Sequence, residues 1–303
     1  MVDQQDAAHL YVMDLATGDT TQLTFGNWND TEPSWWPDRS RIAFVSNRGG
    51  NSDIFVINAD GSGLMQLTAT REIEGDPAVS PDGKTIAYTA ETPLKEGLPT
   101  RRLYLLSVEG GEPRPLTEGP GNDSFPDWSP DGRFLAFERD EPGEWETAIY
   151  LWDAKTGTAS ALDLPATSAE PPVVLPEFPV VFQLPRWLPR AGDYLSLIRA
   201  GFEEGAPLPI VVFQIQEHAG QVTLRQAPAV IETNFIHYTW GPNGEWLIAP
   251  VKSPSGEFKG RALLRVRVGL AGASRACSGC TGVLDAQFLT AGDFYDDYPD
   301  WAP

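Results

Sequence analysis

Histidine, cysteine and methionine are scarce in this chain of 303 residues, which carries three, two and three of them. The cysteines form one pair, Cys277 and Cys280, in the glycine-rich stretch GLAGASRACSGCTG. No second pair or histidine lies within sequence reach, which argues against zinc, and no thioredoxin-like βαβ pattern surrounds the pair, which argues against redox catalysis. A local disulfide is expected if the protein is exported, and two free thiols if it stays in the cytosol. No G-x-S-x-G elbow is present, so a serine hydrolase of the α/β type finds no support. No apolar run reaches 18 residues, so no membrane-spanning helix is expected, and the start MVDQQDAAHLYV carries neither a basic leader nor an apolar segment. Basic side chains are also few: 22 stand against 42 acidic ones, a formal net charge of -20. Such a charge repels a phosphate backbone, which excludes nucleic acid as a partner and leaves cations, basic peptides and neutral polymers.

What the chain has in quantity is turn formers and large rings: 29 Gly, 27 Pro and 11% aromatics within 41% apolar residues. That mixture suits many short strands around a substantial core. The frame P-x-W-x-P recurs six times, beginning at Pro33, Pro77, Pro126, Pro185, Tyr238 and Pro299, with Val79 replacing Trp in the second copy. Starts separated by 44 to 61 residues lie in the range of propeller blades and solenoid repeats. Within a copy the apolar period is two. A tight turn such as Asp82-Gly83 or Asp131-Gly132 leads to a triplet such as Ile42-Ala43-Phe44, Ile86-Ala87-Tyr88 or Leu135-Ala136-Phe137. A third apolar run (DIFVI, LYLLSV, AIYLW, PIVVF, ALLRV) and a short fourth one complete each unit. Four antiparallel strands per unit is a propeller blade.

The stretch DTEPSWWPDRSRIAFVSNRGGNSDIFVINADGSGLMQLT resembles the TolB-type β-propeller repeat, related in shape to WD-repeat propellers. The resemblance is strong over residues 9–163 and holds in outline over 180–303. It implies a propeller fold, a periplasmic or extracellular location and protein-protein scaffolding; with six frames, the chain is expected to be an all-β, six-bladed β-propeller in a single domain, monomeric and without catalysis. The blades are expected at 30–68, 74–117, 123–163, 180–227 and 235–290, with the sixth assembled from 9–24 and 296–303. HLYVMDLATGDTTQLT supplies third and fourth strands, DDYPDWAP supplies a first strand, and pairing them would close the ring. The seam is one strand short: Met1 to Gln5 stand in for it, or the natural chain continues. The proline-rich stretch 164–181 reads as an extended connector.

Three residues before the first position of each frame stand Asp30, Glu74, Asp123, Phe182, Phe235 and Asp296. In propellers of this kind that position lies near the channel mouth, where Glu32, Asp76 and Asp297 would join the same rim. Two readings are open. Four carboxylates at one mouth, with His237 nearby, suit a hard cation such as calcium, with Asp30, Asp123 and Asp296 as ligands. Alternatively, each carboxylate accepts backbone N–H bonds beside a turn, as acidic residues at this place in TolB-type repeats commonly do. The first reading leads to a metal-dependent lyase or hydrolase acting on a glycan. The second leads to a protein- or peptide-binding platform with no cofactor. Trp35 and Trp36 are adjacent on a strand, so only one of them is expected to serve the blade core.

Overall fold

A computed structural model describes residues 7–92, 100–141, 147–164, 181–189, 193–200, 210–218, 221–231, 237–252, 261–269, 282–289 and 300. Their regular structure is entirely strand. A hairpin of β1 (Tyr11–Met13) and β2 (Thr20–Gln22) comes first. The next four strands are β3 (Asp30–Trp35), β4 (Arg41–Ser46), β5 (Asp53–Asn58) and β6 (Met65–Gln66). A second set is β7 (Ile73–Val79), β8 (Thr85–Thr92), β9 (Thr100–Ser107) and β10 (Arg114–Pro115). The third is β11 (Asn122–Trp128), β12 (Phe134–Asp140), β13 (Thr147–Asp153) and β14 (Thr158–Ala161). The fourth is β15 (Val181–Trp187), β16 (Tyr194–Ala200), β17 (Ile210–His218) and β18 (Gln221–Ile231). The fifth is β19 (Thr239–Trp240), β20 (Trp246–Lys252), β21 (Arg261–Gly269) and β22 (Gly282–Phe288).

Each set is one four-stranded sheet in sequence order, the meander of a propeller blade. The all-β propeller architecture is therefore as expected, but five blades are present where six were anticipated. For the sixth, the described residues supply the β1–β2 hairpin, and 1–6, 296–299 and 301–303 lie outside the described residues. Residues 165–180 of the expected connector and the pair Cys277 and Cys280 lie outside them too, while Val181 begins β15. Two compact units divide the chain, residues 1–126 with 298–303 and residues 127–297. Among the described residues no helix is long and apolar enough to cross a membrane.

The turn between first and second strands forms as its residues dictate. Asp82 Oδ1 accepts from Ser80 Oγ at 2.6 Å and from Lys84 N at 3.0 Å, and Gly83 N donates to Ser80 O at 2.8 Å. Ser129, Asp131 and Gly132 repeat the arrangement. Gly83, Gly132 and Gly244 take φ of 69°, 70° and 70°, but the same place in the first blade holds Arg39 at 62°, a left-handed conformation that costs a side chain-bearing residue energy.

Apolar side chains alternate onto both faces of each blade, and the cores lie between neighbouring sheets. In the first unit Leu10 and Leu23 of the hairpin segment pack with Ile42, Phe44, Phe55 and Ile57 of the first blade. Val45 and Ile54 pack with Tyr88, Ala90 and Leu106 of the second. In the second unit Phe134, Ile149 and Leu151 meet Trp187, Leu195, Leu197 and Phe213, and the Phe134 and Trp187 rings stack at 6.1 Å. Trp35 and Trp36 correct the expectation that only one packs inward. Trp35 lies against the Leu10–Phe44 cluster, while buried Trp36 packs beside Ile86 and donates Nε1–H to Gly83 O at 3.1 Å. A blade covered on both faces accommodates both rings.

Candidate functional site

The first strands of the first three blades carry the acidic residues, and a bulge determines where they go. Glu32, Asp76, Phe125 and Leu184 each precede the frame proline, and all adopt left-handed φ between 50° and 53°. Proline disfavours the right-handed helical region for the residue before it. The strand kinks there, and the pairing register shifts between Thr31 and Ser34, between Gly75 and Ala78, and between Gln183 and Arg186. The kink turns the N–H of the bulged residue out of the ladder, where it needs another acceptor.

A carboxylate of the preceding blade supplies that acceptor. Asp76 N donates to Glu32 Oε2 at 2.7 Å, and Phe125 N donates to Asp76 Oδ2 at 3.4 Å. Phe125 has no side-chain acceptor to offer, and the relay passes to Glu138 on β12, whose Oε1 takes the N–H of Leu184. Val45 and Thr89 hold the equivalent second-strand position where an acid already occupies the bulge. Burial, and after it the nearby Asp76 charge, raise the Glu32 carboxyl to about 7 against the opposing Asp76 N–H and Arg101. Glu32 therefore holds its charge reluctantly near neutrality.

Two residues earlier lie the predicted site residues. Asp30, Glu74 and Asp123 are buried, with 2%, 2% and 0% exposure. Glu74 accepts from Thr68 Oγ1, from Thr70 Oγ1 at 2.9 Å and from Ile54 N at 3.3 Å, which ties β7 to the preceding blade. Burial raises the carboxyl of Glu74, and likewise that of Asp53 beside it. Asp30 Oδ1 accepts from Arg48 Nη2 at 2.6 Å, and that guanidinium lies over the rings of Trp28, Phe44 and Phe55 at 5.2 to 5.6 Å. Asp30 Oδ2 lies 3.6 Å from His9 Nδ1, and neither atom has a hydrogen-bond partner. His237 is half-buried. Asp296 lies outside the described residues. Among the described residues no three His, Cys, Asp or Glu side chains converge as a metal site.

A second joint uses the middle residue of the P-x-W frame. Ser34 Oγ accepts from Val79 N at 3.1 Å, and Asp127 Oδ2 from Trp187 N at 2.7 Å. In each case the middle residue of one repeat caps the Trp-position amide of the next. Asp300 Oδ2 likewise accepts from Trp35 N at 2.8 Å.

The TolB beta propeller domain profile matches residues 1–98. Residues 1–98 are built of TolB-type β-propeller repeats. A TolB homologue from Chlorobium chlorochromatii is 37% identical over 135 residues, covering 32% of this chain and 31% of that protein. Crystalline TolB from Acinetobacter baumannii superposes with a TM-score of 0.62 at 18% identity, over 86% of this chain and 57% of that one. A puromycin-hydrolyzing peptidase from Mycobacterium tuberculosis superposes with a TM-score of 0.55 at 18% identity, over 88% of this chain and 40% of that one. At these identities the two structures share a fold with the chain and nothing more. Matches to three curated relatives span under half of each relative's length.

The TolB-type repeat was legible from the P-x-W-x-P frame, but the Glu32–Asp76–Glu138 relay was not. Its signal is the acid directly before the frame proline in the first two copies, and the acid at 138 where the third has Phe125.

Proposed function

We propose that this TolB-like propeller is a non-catalytic, monomeric platform that binds protein or peptide partners in the cell envelope. The supporting observation is the employment of its acids: Glu32, Asp76, Glu138 and Glu74 each accept bonds that join one blade to the next. Carboxylates engaged in this way are poor candidates for a reacting centre. The periplasmic location of TolB homologues supports an envelope location. Ring closure through a sixth blade of 9–24 and 296–303 is part of this reading, and the Asp300–Trp35 bond supports it. Capture experiments test the platform: immobilised chain, incubated with envelope extract at low salt, should retain a partner that high salt releases. Recovery of nothing above control would contradict it.

A cation at the mouth, held by Asp30, Glu74, Asp123, Asp296 and His237 in the service of a glycan-active lyase or hydrolase, is the competing reading. Its supporting observation is the buried, unpartnered Oδ2 of Asp30. Under that reading millimolar calcium or manganese raises the melting temperature, and Asp30→Asn with Asp123→Asn abolishes the rise. Absence of any rise would count against it.

A further inference from the structure

Three joints within residues 1–126 are built on one plan. Leu10 N donates to Thr24 Oγ1 at 2.9 Å, Ile54 N to Thr68 Oγ1 at 2.8 Å and Leu103 N to Thr117 Oγ1 at 3.0 Å. Asp30 N donates to Ala8 O and Glu74 N to Ser52 O, both at 2.9 Å. Asn29 Oδ1 accepts from Ala8 N at 3.0 Å, and Asn122 Oδ1 from Arg101 N at 2.9 Å. The residue before each hydroxyl-capped amide is His9, Asp53 or Arg102, and the acid near the start of the following first strand is Asp30, Glu74 or Asp123.

The plan is constant, but the charge at that one place is not. The third joint has a permanent cation, Arg102, whose guanidinium donates to Gly119 O and Gly121 O. The second has an acid, Asp53, which accepts from Gln66 Nε2 at 2.9 Å. The first has a histidine, the side chain whose charge follows pH. His9 Nδ1 lies 3.6 Å from Asp30 Oδ2, with the two side chains 15% and 0% exposed, and neither atom has a hydrogen-bond partner. Arg48 Nη2 holds the other oxygen, Oδ1, at 2.6 Å, and the rings of Trp28, Phe44 and Phe55 fix its guanidinium there. A buried carboxylate oxygen without a donor is costly, and the imidazole is the group placed beside it. Arg48 and a protonated His9 repel each other, but they approach different oxygens of one carboxylate.

We propose that His9 and Asp30 form a pH-gated clamp between the segment leading into β1 and the start of β3. A proton taken up by the imidazole makes it a cation, and closing the 3.6 Å gap then gives Oδ2 a charge-assisted bond. Loss of the proton leaves the joint to its neutral bonds. The closed joint therefore holds the proton more tightly than the open one does. Its added stability is present at low pH and is lost as pH rises through the range in which histidine titrates, about 5 to 8. Leu10, which packs with Ile42, Phe44, Phe55 and Ile57, is fastened or loosened with the joint. The clamp rests on neither reading of the acidic mouth.

Amide hydrogen exchange of the 303-residue chain at about pH 5.5 and about pH 8, corrected for the intrinsic pH dependence of exchange, tests this. Between the two values, protection of the Leu10 and Asp30 amides should fall about ten-fold more than that of Leu103, whose joint carries the permanent cation. His9→Gln keeps a polar side chain that cannot gain the charge, and it should abolish the excess fall. Equal changes at Leu10, Asp30 and Leu103 in the wild-type chain would overturn the proposal. An excess fall that persists in His9→Gln would overturn it as well. The wild-type comparison needs no variant, so it stands even if His9→Gln fails to fold.

Discussion

Glu32→Gln is expected to stabilise the protein at pH 8 and to leave it nearly unchanged at pH 5. The Glu32 carboxyl is raised from 4.5 to about 7, first by burial and then by Asp76. A raised carboxyl means that the folded chain holds the proton more tightly than the unfolded chain does. Glu32 therefore favours folding relatively most at low pH, and this advantage is lost as pH rises from about 4.5 to about 7. The shift corresponds to roughly 3 kcal/mol as an upper bound, since part of it belongs to the pair with Asp76 and the side chain retains some contact with solvent. With an unfolding entropy of about 2.1 cal/mol/K per residue, a change of that size moves the melting midpoint of this chain by up to about 5 °C. Glutamine keeps an oxygen for the Asp76 N–H and removes the charge. Scanning calorimetry of both proteins at pH 5 and pH 8 reads the difference. An equal offset at the two pH values, or a lower midpoint for the variant at pH 8, would refute the reasoning.

Glu138→Ala strands the buried N–H of Leu184 and should cost about 1–3 kcal/mol, with Glu138→Gln recovering most of it in urea melts. Asp30→Ala leaves Arg48 without its buried partner; a loss of roughly 3–5 kcal/mol by denaturant titration is expected, and a loss near zero would contradict the pairing. Phe137→Ala removes a ring that is 0% exposed and should cost about 3–5 kcal/mol in the same assay. Arg39→Gly relieves the φ of 62° at the first-blade turn and should raise stability by about 0.5–1 kcal/mol, the left-handed strain less the glycine entropy.

The meander was legible because turn and strand signals act over a few residues. Asp82-Gly83 and Asp131-Gly132 specify their turns, and Ile-Ala-Phe triplets specify a strand with a tight central place. The direction of the acids was not legible by the same means. Asp30 and Glu32 are two apart, which in a regular strand places them on one face. The bulge at Glu32 breaks that alternation, and nothing in the alternation itself announces it. Proline after Glu32, Asp76, Phe125 and Leu184 was the available sign, since it forces the preceding residue out of the right-handed helical region. The number of blades exceeded what the described strands supply because the frame marks only a first strand. Pro299 and Trp301 signal the start of a blade without guaranteeing the three strands that would follow.

Amide exchange at Trp35 tests most directly the claim that polar side chains of one repeat cap the next, from the last repeat round to the first. In the wild-type chain the amides of Trp35, Val79 and Trp187 are all bonded by the preceding repeat and should be protected. Asp300→Ala should speed exchange at Trp35 by ten-fold or more while leaving Val79 and Trp187 unchanged. A Trp35 amide that exchanges equally fast in both proteins would contradict the account.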